Sequence, residues 1–226
     1  MMALQDLAVD PEESSESEVV LISASSDPFI RRWRISLSSA SQIYDASEMT
    51  PSETASTKNT ILEHETSVYK VLFSGSDEES DLWTASADGS AKCLSRARQW
   101  SVEETYVHGD YVRAVVVTPD WAVTAGRDED IKVWDRATGK LWHVFDGHYE
   151  EVTELVLLDE RRVLSVSIDG TVRCWQIDKA SLESARKERE DRLSGKVKEE
   201  QPIPQKSLLT EDEEAELAEL MDLDDD

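Results

Sequence analysis

Only two of the 226 residues are cysteine, and no Cys/His cluster has zinc-ligand spacing. A disulfide framework and a zinc site are therefore excluded as organising devices. No run of 18 apolar residues occurs, and the N-terminus lacks the charged and apolar regions of a secretory signal, so a soluble chain of the cytoplasm and/or nucleus is expected. Cations are scarce, with 24 Lys and Arg against 49 Asp and Glu for a formal charge of −25. Phosphate contacts need clustered cations, so direct binding to nucleic acid or to an anionic membrane is not expected, whereas protein partners, basic ones among them, are. The chain also lacks a Gly-rich phosphate loop, a nucleophile elbow and a metal-ligand constellation. It is read as a non-enzyme with no cofactor, no catalytic residue and no metal site.

What the chain does contain is a repeat. Four times an Asp sits in a short polar turn, with Ser or Thr four residues before it and a branched or small apolar residue three after it: Ser23/Asp27/Ile30, Thr84/Asp88/Ala91, Thr124/Asp128/Ile131 and Ser165/Asp169/Val172. The flanking residues alternate as in short strands, so each unit reads as a hairpin. Successive Asp residues are 61, 40 and 41 positions apart. An interval of about 40–45 residues suits one propeller blade. The longer interval holds the Ser/Thr/Ala-rich stretch 36–59, expected to be a disordered insertion within a blade.

Three units carry a His upstream of the turn, His64, His108 and His148, and three carry a Trp six residues after the Asp, Trp33, Trp134 and Trp175. This combination resembles the WD40 family, and the resemblance covers residues 1–178. It implies an all-β fold, a partial β-propeller of about four blades bounded near 1–63, 64–107, 108–147 and 148–178. It also implies a hydrogen-bonded set inside each blade: His108/Thr124/Asp128/Trp134, His148/Ser165/Asp169/Trp175 and, because Leu94 replaces the Trp, a three-membered His64/Thr84/Asp88. A blade of four short strands has little apolar area with which to fix its register. Buried polar groups with a single satisfying arrangement can fix it, each net hydrogen bond being worth about 1 kcal/mol and each orphan costing more. These His and Asp residues are accordingly read as structural. Cys93 and Cys174 fall at equivalent places, five residues after the Asp, and are expected to be buried free thiols.

Superimposing Leu4–Pro11 on Val112–Pro119 places the first unit's missing His one residue before Met1, and Trp175 runs into charged sequence without an outer strand resembling Lys140–Phe145. The expectation is an N-terminally truncated propeller whose missing blades come from upstream sequence or another chain, and whose open sheet edges promote self-association. Residues 179–206 read as a charged linker or helix, interrupted by Pro202 and Pro204. Residues 207–226 form an acidic tail with ten carboxylates and no cation. Thr210 and Glu213 there have capping-box spacing, and Leu217, Leu220 and Met221 follow at helical spacing. This short amphipathic helix is either a segment that folds on a partner's groove or a solubilising tail.

The acidic loops Asp10–Glu18 and Ser74–Asp81 occupy the same slot in their units and should make one rim acidic and mobile. The opposite rim carries the His and Asp loops, where WD40 proteins often bind partners. Tyr111, Arg127 and Tyr149 are the candidate contacts, since Tyr and Arg supply large contact area with few rotors; the alternative is that the tyrosines cover blade edges. The implied function is a non-catalytic protein–protein interaction scaffold or adaptor. A substrate receptor of a cullin-type ubiquitin ligase is an alternative, because Trp134-Asp135-Arg136-Ala137 approximates a Trp-Asp-x-Arg signature with the Arg one place early. An escort for basic proteins such as histones or ribosomal proteins is another, suggested by the acidic loops and tail.

Overall fold

The computed structural model describes residues 3–43, 60–76 and 79–193. Each sequence unit becomes one antiparallel sheet, with strands paired in chain order. The first sheet comprises β1 (Leu4–Val9), β2 (Glu18–Ser25), β3 (Arg31–Ser36) and β4 (Ala40–Gln42). The second comprises β5 (Val68–Ser76), β6 (Glu79–Ser86), β7 (Ser90–Ser95) and β8 (Ser101–Val107). The third comprises β9 (Val112–Val117), β10 (Trp121–Gly126), β11 (Ile131–Asp135) and β12 (Lys140–Phe145). The fourth has three strands, β13 (Val152–Asp159), β14 (Arg162–Ser167) and β15 (Val172–Gln176). Their first strands lie side by side, β1 against β5, β5 against β9 and β9 against β13. The arrangement is a partial WD40-type propeller, as the repeat implies.

Strand periodicity explains how the sheets stack. Alternate residues face opposite sides, so each sheet has a front and a back. At the first junction the back residues Ile22, Ala24 and Ile30 pack on Val71, Leu82 and Leu94 of the second sheet's front. At the next, Trp83, Ala91, Cys93 and Tyr106 meet Val115, Val117, Ala122 and Trp134. At the third, Val116, Val123, Ile131 and Val133 meet Leu155, Val163 and Trp175. The same back-on-front contact is thus made three times, and it holds the apolar core. Stacked aromatics add to it, with Tyr106 5.9 Å from Trp83 and 5.5 Å from Trp134 between ring centroids.

Four details add to or differ from the sequence expectation. Part of the stretch 36–59 is regular: Ser36 ends β3 and Ala40–Gln42 pair with it as β4, because the strand alternation outruns the Ser-rich composition. Residues 44–59 lie outside the described residues. Second, the acidic loop after β1 is anchored. Asp10 is fully buried and receives Arg96 Nη2 at 2.7 Å, Glu12 lies 3.1 Å from Arg96 Nε and accepts both the backbone N–H and the hydroxyl of Ser80 at 2.7 Å, and Glu13 pairs with Arg96 at 3.3 Å and with Arg32. These contacts join the first sheet to the second. The Ser80 hydrogen bonds hold the Glu12 carboxyl below its usual range.

Third, the charged segment after Trp175 begins as helix α1 (Lys179–Leu193), started by Asp178, whose carboxylate accepts the Ser181 N–H at 3.1 Å. Its Leu182 is fully buried in the same cluster as Trp121, Val163 and Ile177, which ties the start of the helix to the core. Residues 1–186 make one compact unit and 187–226 a second, of which 187–193 are described. Fourth, Cys93 is buried and its thiol is pushed up to about 12 by burial, but Cys174 is exposed, because it lies on the back of the last sheet, where no further sheet follows among the described residues.

Removing the Arg96 guanidinium leaves the buried Asp10 carboxylate without its cation. Arg96→Ala should lower the unfolding free energy by about 3 kcal/mol in urea titrations. The exposed Arg98, changed to Ala, should shift it by less than about 0.5 kcal/mol.

Candidate partner-binding rim

The turns between the second and third strands are built by the polar sets. In the third sheet His108 Nδ1 lies 2.8 Å from Thr124 Oγ1, His108 Nε2 lies 2.8 Å from Asp128 Oδ1, and Trp134 Nε1 donates to Thr124 Oγ1 at 2.8 Å. In the fourth, His148 lies 2.8 Å from Asp169 and 2.7 Å from Ser165, and Trp175 Nε1 donates to Ser165 Oγ at 2.7 Å. The second sheet makes the three-membered form, with His64 2.7 Å from both Asp88 and Thr84. The donor inventory fixes the direction: the carboxylate can only accept and the indole can only donate, so in a neutral ring the remaining nitrogen accepts the hydroxyl proton. Each His is bonded within its own unit, so the three do not converge on a common pocket, and the described residues contain no cluster able to hold a metal ion.

The same bonds set the charge of the turns. Burial raises the Asp88 and Asp128 carboxyls, but hydrogen bonds from His64 and Ser90, and from His108 and Lys132, outweigh it and hold both below the usual carboxylate range. Asp169 is held well below that range by Thr171 and His148. These turns therefore stay anionic, and they present the rim.

Of the three candidate contacts, the structure brings two together. Arg127 is exposed and stacks over the Tyr111 ring at 5.2 Å, while its backbone N–H donates to the Tyr111 carbonyl at 2.9 Å. Tyr149 is 77% exposed and pairs instead with Arg173, 6.0 Å from its ring. The position of Tyr111 depends on Gly126. A Cβ there would lie 1.8 Å from the Tyr111 carbonyl oxygen, whereas the second and fourth sheets place Ser86 and Ser167 at the corresponding position, their hydroxyls bonding backbone carbonyls at 2.9 Å. Leu217, Leu220 and Met221 lie outside the described residues.

Two features of this rim escaped the sequence reading. Arg113 stacks on Tyr69 at 4.3 Å and bonds Glu151 at 2.6 Å, so one guanidinium joins residues of the second, third and fourth sheets. Nothing periodic marks it. A cation four residues after each Asp was legible, as Arg31, Lys92, Lys132 and Arg173. Lys92 reaches the Glu63 carbonyl and Lys132 the His108 carbonyl at 2.7 Å, locking the His-bearing loop, while Arg31 pairs with Asp27 at 2.6 Å in the unit that has no His.

Residues 100–135 and 139–176 match the family described as WD domain, G-beta repeat. An uncharacterised WD repeat-containing protein of Schizosaccharomyces pombe is 37% identical over 165 residues, covering 70% of this chain and 40% of that protein. The F-box/WD repeat-containing protein sel-10 of Caenorhabditis elegans is 27% identical over 118 residues, covering 51% of this chain and 20% of that protein. The chain thus spans well under half the length of these relatives. Among solved structures, the computationally designed Ika4 protein superposes with a TM-score of 0.54 at 24% identity, covering 78% of this chain and 92% of that one, a likeness of fold.

Carboxyls held below their unfolded values stabilise the fold fully above the unfolded value and lose that contribution progressively as pH falls from there to the lower folded value. Urea stability should therefore drop as pH is lowered through about 4, and Asp88→Asn should flatten that slope. A parallel slope in the variant would contradict the assignment. Gly126→Ala should displace Tyr111 and break its bond to the Arg127 N–H, seen as loss of exchange protection at that amide.

Proposed function

We propose that this WD40-repeat chain is a non-catalytic interaction scaffold of the cytoplasm or nucleus that holds a protein partner on the rim carrying Tyr111, Arg127 and Tyr149. WD40 repeats imply protein–protein interaction as a class. The observation that supports this rim is a strained side chain beside the two stacked residues. The residue after the turn Asp is Gly89 at φ 84° in the second sheet and Gly170 at φ 79° in the fourth, but Glu129 at φ 68° in the third. A side chain held in the left-handed region costs about 1 kcal/mol, and such strain concentrates at functional positions. Glu129 is exposed and two residues from Arg127. With the anionic turn carboxylates beside it, the rim suits a partner segment carrying cations, and Tyr and Arg suit anchoring it.

The acidic tail with Leu217, Leu220 and Met221 would supply a second attachment by folding on a hydrophobic groove. The ligase-receptor alternative draws on sel-10, whose name joins an F-box to WD repeats. Against it, Arg136 is engaged within the fold, donating to the Thr118 carbonyl at 3.0 Å and stacking over Trp83 at 5.2 Å. An escort for histones or ribosomal proteins would use the acidic loops and tail instead, and it would differ in losing its cargo as salt rises.

Affinity purification of the tagged chain with quantitative mass spectrometry tests the rim. Tyr111→Ala with Arg127→Glu should deplete the associated proteins at least tenfold at unchanged chain abundance, and Glu129→Gly should weaken capture without lowering the melting temperature. An unaltered set of associated proteins from the double variant would overturn the reading.

A further inference from the structure

The three internal junctions are all of one kind, the back of one sheet on the front of the next. Among the described residues, one face of each kind is left bare. The front of the first sheet exposes Leu4, Leu7 and Val9, between 48% and 58%, and forms with Leu21, Trp33 and Ile35 the wall of an open apolar groove of about 590 Å³. The back of the fourth sheet exposes Val156, Leu158, Val166, Ile168 and Val172, with Cys174 paired across from Leu164 on the same side. Register puts these faces in the correct sense. Leu21 and Trp33 occupy the places of Ala122 and Trp134, which the second sheet's back covers, and Val166 and Val172 those of Ala125 and Ile131, which cover the fourth sheet's front.

We propose that two copies of this chain associate head to tail, the bare front of each receiving the bare back of the other through the junction already made three times inside each copy. Contiguous exposed apolar faces mark contact sites. A head-to-tail contact either closes into a ring or grows without end. Two copies bring together eight sheets of the described residues, within the range of about four to eight blades over which propellers close, so the expected product is a closed pair. The inference does not depend on the rim, whose residues lie on neither face.

Sedimentation equilibrium and light scattering on the full 226-residue chain should give twice the monomer mass. Leu7→Arg on the front and Val156→Arg on the back should each yield monomers. Mixing those two variants should restore a one-to-one pair, since each retains the face the other lacks. Thiol labelling supplies a second readout: Cys174 should be labelled at least tenfold more slowly in the pair than in either monomeric variant. Far-ultraviolet circular dichroism checks that both variants keep their strands, and Leu4→Lys and Ile168→Lys replace any that do not. A wild-type monomer at all concentrations, a mass growing without limit, a Val156→Arg variant that still pairs with itself, or a mixture that stays monomeric would each overturn the proposal.

Discussion

A buried hydroxyl with one way of being satisfied governs this molecule. Thr124 and Ser165 each stand between an indole that can only donate and an imidazole whose other nitrogen is bound to a carboxylate. Shifting a strand by one residue would turn these groups to the other face and orphan several of them at once, each at about 1–3 kcal/mol. The set therefore fixes which residues face front and which face back. Once that is fixed, the apolar residues on each back meet the apolar residues on the next front, and a stack of small sheets acquires a continuous core.

The sheets are further joined by cations that the sets do not involve. Arg96 links Asp10, Glu12 and Glu13 to the second sheet, Arg113 joins Tyr69 to Glu151, and Lys70 on β5 lies 3.0 Å from Glu154 on β13. Five carboxylates are thereby given structural partners near the stacked strands. The turn carboxylates Asp88, Asp128 and Asp169 stay ionised on the rim that also carries Tyr111 and Arg127. Architecture and the negative charge of these turns thus arise from the same hydrogen bonds.

The polar sets were legible because they recur with a fixed offset from each Asp, and His64, His108 and His148 fall where the repeat requires. The absence of Trp at Leu94 was legible for the same reason, and the three-membered set follows. Contacts between units were not legible, because Arg96 and Asp10 are 86 residues apart and obey no period. The exposure of Cys174 could not be read from its own unit either, since burial there depends on whether another sheet follows. On the rim, residue type singled out Tyr111, Arg127 and Tyr149 as candidates, but sequence could not reveal that Arg127 stacks on Tyr111 while Arg173 claims Tyr149. The strand β4 was hidden by composition, as a Ser-rich segment resembles an unstructured one until its pairing with β3 is seen.

The most direct test of the governing hydroxyl is a double-mutant cycle on His108 and Trp134, which are joined through Thr124 Oγ1. Unfolding free energies of His108→Ala, Trp134→Phe and the double variant should show a coupling of about 1 kcal/mol or more. Additivity to within about 0.3 kcal/mol would show that the two act independently, and that the sets do not hold the register.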